Sequence, residues 1–362
     1  MKNNHGANLH QLSETLGITE ENIIDFSSNI NPFGLSPMGL KQLRNNLNKA
    51  SIYPDPDYCE LKKSISDYCH CNVDSIVLGS GATELISSSI KTINPKNTLL
   101  LSPAYSEYEK ELNKVGSKIT KLFYKKENDF KINIEEIEAL IKKEDFDMIV
   151  ICNPNNPTGQ LITIEELNKL ILNFKKPIMI DETYIEFTDF KNTSAISLVE
   201  NNSNIIVIRG TSKFFSTPGI RLGYAIISSG SLLEKISNLP NLWNINIFAS
   251  IMGEAMFRDS EFIKMCHDKF SENFSLLYNG LKNMPTLKVY ESKSNFLLCE
   301  ILSGKYNAND LYDYLAKKGL IIRKAESFDG LNNKFFRVCV LTEEQIKLLL
   351  TEINAFINNF II

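Results

Sequence analysis

The sequence predicts an α/β chain: a large domain built on a mostly parallel sheet covered by helices, a smaller α+β domain, and an N-terminal arm. Three observations carry that expectation. Five short apolar runs, Ile76 to Leu78, Thr98 to Leu101, Met148 to Cys152, Ile178 to Ile180 and Ile205 to Ile208, alternate with helical patterns, as strands buried on both faces of a parallel sheet do. After Trp243 the rhythm changes to a long helical stretch, about Ile245 to Asn283, followed by strand and helix patterns in mixed order. A chain of 362 residues also exceeds what one small core needs. The expected parts are an arm over 1–36 that packs with the small domain, a large domain over 37–244 and a small domain over 245–362.

Each element follows from local signals. In the arm, Leu9 to Leu16 has helical spacing closed by Gly17, and the turn-rich SSNINPFG offers the amides of Asn29 and Asn31 on either side of Ile30. Helices are expected from Pro37 to Leu47 and through Tyr58 to Tyr68, separated by the turn Tyr53-Pro54-Asp55-Pro56. The first apolar run meets Gly79-Ser80-Gly81 and a helix from Thr83; the second meets Ser102-Pro103 and a helix from about Tyr105. The third leads into NPNNPTG and a helix opened by Thr163 with Glu166, a capping box. In the small domain, strands are expected at Phe296 to Ile301, Leu320 to Arg323 and Phe335 to Val340, with helices near Asp310 to Lys318 and after Thr342, boxed by Gln345.

Composition excludes several function classes. A net charge of -4 provides no basic footprint for nucleic acid. No apolar run approaches the roughly 20 residues of a membrane span, and the start MKNNHGANLH lacks the apolar core of a signal peptide, so a cytoplasmic location is expected. Seven cysteines without a small-scaffold spacing fit reduced thiols. Cys69-His70-Cys71 hints at metal, but no second ligand pair accompanies it among four histidines, and no metal is expected.

In an open parallel sheet, ligands collect at the carboxyl ends of the strands, and the unusual polar residues fall there. Lys213 follows the run at Ile205 and the turn Gly210-Thr211-Ser212, against Phe214 and Phe215; desolvation beside aromatic rings favours the neutral amine, the form that attacks a carbonyl carbon. Arg221, eight residues on, and Ser212 could grip a phosphate; a snorkelling lysine and a surface arginine are the bland alternative. Asp181, ending a buried run, needs a partner: either the backbone N–H of the next helix or a protonated ring nitrogen. Ser80-Gly81-Ala82-Thr83 at a helix start suits a phosphate. A nicotinamide dinucleotide fits less well, because Glu84 replaces the third glycine of that fingerprint and no acid for ribose ends the next strand. Asn156 offers an amide from a loop stiffened by two prolines, with the isomer of the Asn156-Pro157 bond open. Tyr105 and Tyr184 could stack on a ring or pack in the core, and Arg323 and Arg337 could each bind an anion or lie on the surface.

The ordered set GSGATE, SPAYSEY, NPNNPTG, DETYIEF, TSKFFSTPGIRLGY and FFRV resembles fold-type I pyridoxal-phosphate enzymes of the aspartate aminotransferase superfamily over nearly the whole chain. The nearest branch is the histidinol-phosphate aminotransferase group, and HGANLHQ, DFSSNINPFG and IYPDPDY resemble the threonine-phosphate decarboxylases within it. The resemblance implies pyridoxal 5'-phosphate as cofactor, Lys213 as its Schiff-base lysine and proton carrier, Asp181 at the ring nitrogen, Asn156 and Tyr184 at the ring's phenolic oxygen, and Tyr105 stacked on the ring. It places the cofactor phosphate on Gly81, Ala82, Thr83, Ser212 and Arg221, with Tyr53 reaching it from the second subunit of a homodimer with shared active sites. Arg337, and with it Arg323, Asn156, His5, Asn8 and Asn31, would contact a phosphorylated amino acid. The implied activity is decarboxylation of L-threonine O-3-phosphate to (R)-1-aminopropan-2-yl phosphate for the cobalamin nucleotide loop. A histidinol-phosphate aminotransferase and a decarboxylase preferring L-serine O-phosphate are the alternatives; a PLP-binding regulator domain ranks lower, without a basic helix-turn-helix extension. The chain departs from that pattern at Ala7, where the arm usually has a second glycine, at Gly210, where relatives carry a hydroxyl, and at Tyr184, where some decarboxylases have Phe.

Overall fold

The computed structural model describes residues 9–228, 230–238 and 241–360. In chain order its strands are β1 (Ile24–Asp25), β2 (Ile76–Gly79), β3 (Asn97–Ser102), β4 (Lys118–Phe123), β5 (Met148–Cys152), β6 (Ile178–Asp181), β7 (Ile205–Gly210), β8 (Gly223–Ile227), β9 (Leu287–Val289), β10 (Phe296–Ile301), β11 (Leu320–Ile321), β12 (Arg323–Lys324) and β13 (Phe335–Cys339). Seven of them form the large sheet in the order β2-β8-β7-β6-β5-β3-β4, parallel except at β8, which runs antiparallel to both neighbours. All five apolar runs are strands of this sheet.

The period of two along each strand divides their side chains between two cores. Ile149, Ile151, Ile178, Ile180, Ile205 and Val207 join one cluster, while Met148, Val150, Cys152, Met179, Ile206 and Ile208 join the other. Asp181 therefore points to the same side as Met179, and Glu182 to the opposite side. There Glu182 meets Arg209, 1% exposed, whose Nε donates to its Oε2 at 3.0 Å, while Nη1 lies 3.5 Å from Glu186 and Nη2 donates to Ser194 Oγ at 2.7 Å. Removing one partner of such a network leaves an uncompensated buried charge. Arg209→Leu is expected to cost about 3–5 kcal/mol, read as a lower urea midpoint with unchanged slope.

Two strands of the large sheet were not anticipated. β4 is an edge strand of sequence KITKLF, only partly buried, and has no continuous apolar run. β8 is fully buried, but it begins at Gly223 directly after the tight segment that follows Lys213 and so reads as that turn's tail. The long helical stretch is two helices, Ile247–Met256 and Ser260–Lys282. Asp259 separates them, accepting from Phe262 N at 3.2 Å and from Ser36 Oγ at 2.5 Å. The first packs on the helices Pro37–Asn45 and Cys59–Cys69, the second on Glu343–Asn358.

The small sheet has the order β12-β13-β10-β9. The run from Leu320 to Arg323 divides between β11, which pairs in parallel with β1 of the arm, and β12, which pairs with β13. Phe26 continues the link, donating to Ile321 O at 2.8 Å and accepting from Cys339 N at 2.9 Å. These bonds pin the arm to the small sheet and bring Ser27, Ser28 and Asn29 over the strand ends of the large one. Both capping boxes form, at Thr163 with Glu166 and at Thr342 with Gln345. No helix among the described residues is long and apolar enough to cross a membrane.

Candidate active site

A cavity of about 300 Å³ lies between the carboxyl ends of β5, β6 and β7, the start of the helix Ala82–Ile93, the arm, and strands β12 and β13. Lys213 enters it from the turn after β7. Its Nζ donates to Ser28 O at 2.6 Å, and its carbonyl accepts from Asn31 N at 3.0 Å, so the arm folds over the lysine from both sides. Burial, and then the Arg337 charge, push the ammonium down to about 8 from an ordinary value of 10.5.

Asp181 faces the cavity from the end of β6, 4% exposed. Its Oδ1 accepts from Thr183 N at 2.9 Å and Thr183 Oγ1 at 2.6 Å; its Oδ2 accepts from Tyr108 Oη at 2.6 Å. Burial raises its affinity for a proton, and these donors oppose that shift. Beside it, Tyr105 sits at the start of the helix Ser106–Lys114, with its ring edge-to-face to Tyr108 at 5.7 Å.

At the far end, the helix Ala82–Ile93 presents its N-terminus to Arg221 and Ser212. Gly81 has φ +86°, and a Cβ there would run into the Arg221 guanidinium. Gly223 is pressed just as closely, since a Cβ would lie 2.5 Å from Ala82 N. The two glycines allow the helix start, the arginine and β8 to converge. Arg221, itself at φ +60°, donates from Nη2 to Ser80 O at 3.2 Å. The Gly81 N–H is turned to Gly79 O at 2.7 Å, so the amides of Ala82 and Thr83 open the helix toward the cavity. Gly210 lies against the same helix start, where a Cβ would meet Ala82 Cβ at 3.2 Å, a close fit.

The opposite wall carries two arginines. Arg337, 5% exposed on β13, donates from Nη1 to Asn156 Oδ1 and from Nη2 to Ser27 O at 2.7 Å; its Nε has no partner. The Asn156-Pro157 bond is cis. With Asn156 Oδ1 committed to Arg337, its Nδ2 is the donor left for a ligand. Tyr184 accepts from Asn29 Nδ2 at 3.2 Å and stands edge-to-face to Phe296 at 5.0 Å. Arg323 is half-buried, donates to Ser327 Oγ at 2.9 Å and lies 5.6 Å over Phe328; burial and the Arg337 charge push it down to about 10.

The structure thus brings Gly81, Ala82, Thr83, Tyr105, Asn156, Asp181, Tyr184, Ser212, Lys213, Arg221, Arg323 and Arg337 to one cavity. It does not bring Asn31 there: that amide lies behind the lysine turn and donates to Phe214 O at 2.8 Å and Cys266 Sγ at 3.2 Å. Tyr53 stands away from this cavity, 74% exposed and stacked on Trp243 at 4.2 Å. His5, Asn8 and Ala7 lie outside the described residues. Sequence reasoning did not single out Tyr108, Asn29 as Tyr184's partner, the Ser27 and Ser28 carbonyls, or Phe328. Tyr108 carried a signal: it is three residues past Tyr105, in the first turn of the helix that Tyr105 caps. Among the described residues no cluster of His, Cys, Asp and Glu is arranged to hold a metal.

Residues 21–353 match the family model for aminotransferase class I and II. A proposed threonine-phosphate decarboxylase of Caldanaerobacter subterraneus subsp. tengcongensis is 35% identical over 88% of this chain and 86% of its own length. The threonine-phosphate decarboxylase of Salmonella typhimurium is 29% identical over 96% of this chain and 94% of its own. Among solved structures, the histidinol-phosphate aminotransferase from Clostridium acetobutylicum matches with a TM-score of 0.87 and 32% identity, covering 92% of this chain and 99% of that one.

Proposed function

This chain belongs to the class I and II aminotransferase family, and we propose that within it the enzyme removes the carboxylate of L-threonine O-3-phosphate, giving (R)-1-aminopropan-2-yl phosphate and carbon dioxide. It is a pyridoxal 5'-phosphate enzyme. The residues fit that cofactor: a half-buried lysine with a weakened hold on its proton, a buried carboxylate facing the same cavity, and, beyond them, a helix start beside an arginine that only a glycine can approach. When bound, the cofactor supplies a conjugated ring that accepts the electrons of a bond broken at the substrate's α-carbon.

The side chains divide the work. Asp181 would hold a proton at the ring nitrogen, Asn156 Nδ2 and the Tyr184 hydroxyl would donate to the phenolic oxygen, and the Tyr105 ring would support the cofactor's face. Ser212, Arg221 and the amides of Ala82 and Thr83 would hold the cofactor phosphate. The observation that carries the substrate is the pair Arg323 and Arg337 on one wall of a cavity of about 300 Å³: two cations suit an amino acid with two anionic ends, a carboxylate and a phosphate. Arg337, fixed by Asn156 and Ser27 beside Lys213, holds the end nearer the reacting carbon, and the more exposed Arg323 holds the other. Arg323 and Arg337, by holding the two anionic ends, would fix which bond at the substrate's α-carbon is placed to break. Lys213, once protonated, would then give its proton to the α-carbon in place of the carboxylate and return to the neutral amine.

The test is incubation of the holoenzyme with L-threonine O-3-phosphate and no keto acid. Sustained carbon dioxide release supports the decarboxylase; comparison with L-serine O-phosphate measures the value of the methyl group, about 1–3 kcal/mol in such a pocket. No release, with histidinol phosphate bleaching the visible band in one turnover and 2-oxoglutarate restoring it, favours the aminotransferase reading that the solved relative and Tyr184 support. The product's place is the nucleotide loop of cobalamin.

A homodimer is part of this reading. Leu35, Met38, Leu47, Ile52, Tyr53, Leu242 and Trp243 form an apolar set of exposed side chains, and a second copy covering them would carry Tyr53 to the neighbouring cofactor phosphate. Tyr53→Ala is expected to raise the cofactor dissociation constant about tenfold, one hydrogen bond to a charged group, measured by equilibrium dialysis at a protein concentration where the dimer persists.

A further inference from the structure

The mechanism uses Asp181 as an anion in a place where burial works against its charge. A carboxylate has about four lone-pair positions. Thr183 N and Oγ1 occupy two on Oδ1, and Tyr108 Oη occupies one on Oδ2 at 2.6 Å, which leaves one position on Oδ2 for a group in the cavity. Tyr108 is itself 1% exposed; its hydroxyl donates to Asp181 Oδ2 and also lies beside the Cys152 thiol. One helix start therefore supplies both Tyr105, toward the cofactor's face, and Tyr108, toward the carboxylate that serves its edge.

We propose that Tyr108 is a positioning residue which keeps Asp181 ionised and oriented, so that the carboxylate's charge remains available to the cofactor's ring nitrogen. A neutral, protonated Asp181 would be a donor facing a protonated nitrogen and could not hold it. The Tyr108 hydroxyl lowers the proton affinity of Asp181; without it burial prevails and the carboxyl protonates at higher pH. This inference rests on the cofactor alone and not on which substrate bond is broken.

Other titratable groups face Asp181. Cys152 lies opposite it on β5 and is pushed up to about 12, so it stays a thiol; the Tyr105 and Tyr184 hydroxyls are also raised by burial. Glu186, pushed up to about 7, feels the Asp181 charge and changes its own within the working range. Lys213, at about 8 in the free protein, shares the cavity. The experiment therefore needs a Glu186→Gln background.

In the holoenzyme, Tyr108→Phe keeps the ring and removes the hydroxyl. The acid limb of kcat, and the pH midpoint of the visible absorbance change without substrate, are expected to move up by about one unit, as loss of one charge-assisted hydrogen bond implies. KM above pH 8 should stay within about twofold. Tyr108→3,5-difluorotyrosine, a stronger donor of the same shape, should move both midpoints down. The opposed shifts should persist with Glu186→Gln. A packing role alone predicts otherwise: a Tyr108→Phe spectrum and pH profile superimposable on wild type, or two variants shifted in the same direction, would overturn the proposal, as would shifts that vanish with Glu186→Gln.

Discussion

Lys213→Ala is expected to lower turnover by at least about 10³-fold, the loss of about 4 kcal/mol of transition-state stabilisation. In the proposed mechanism the lysine has two tasks, as nucleophile toward the cofactor's carbonyl carbon and as proton carrier at the substrate's α-carbon, and among the described residues no second lysine lines the cavity. Arg221, Arg323 and Arg337 share the cavity, but a guanidinium does not give up its proton. The variant should still take up cofactor through the helix start and Arg221, and should release it on dialysis. Retention of full activity would sink the assignment.

The same residue sets a pH dependence in the apoprotein. Its amine is held down to about 8 when folded, against an ordinary value of 10.5. Between these values the unfolded chain binds the extra proton, so stability rises with pH across that window and Lys213 contributes no slope below about 8. Wild-type apoprotein should show this rise and Lys213→Ala should lack it. Cofactor uptake by wild type should quicken as the pH approaches 8 and then level off, because only the neutral amine attacks.

Much of this site was legible because its chemistry sits where the buried strands stop. Lys213 and Asp181 each follow a short apolar run that reads as a buried strand, and ligands collect at the carboxyl ends of such strands. Gly81 was read as a phosphate-binding amide; its N–H goes to Gly79 O instead, and the glycine is needed because a side chain there would strike Arg221. What was not legible depends on contacts between distant segments. Asn31 reads as a loop amide open to substrate, yet the arm turns it inward onto Phe214 O and Cys266, 183 and 235 residues away in sequence. β8 was hidden because its apolar run is short and follows a tight turn without a break. Arg209 was passed over inside an apolar strand, because its partners Glu182 and Glu186 belong to the next strand's end.

Asp181→Asn is the second large effect expected, and its value is that activity and stability should move in different directions. Asn has the same shape; its oxygen can keep both Thr183 donors, and its amide can face Tyr108 Oη, which then accepts. What disappears is the charge, and with it the hold on a protonated ring nitrogen, so kcat should fall about 10²–10³-fold, or about 3–4 kcal/mol, with KM changed far less. Stability should not fall. Burial raises the proton affinity of Asp181, so the folded apoprotein binds a proton more readily than the unfolded chain, and at neutral pH the ionised carboxylate is a burden to folding. Apo Asp181→Asn should therefore melt at or above the wild-type temperature near pH 7, and the difference should shrink as acidification protonates wild-type Asp181. A carboxylate that served only to tie Thr183 and Tyr108 together would behave in the opposite way: its replacement would lower the melting temperature and leave kcat nearly intact. The two measurements on one variant thus separate a charge kept for chemistry, at some expense to the fold, from one kept for structure.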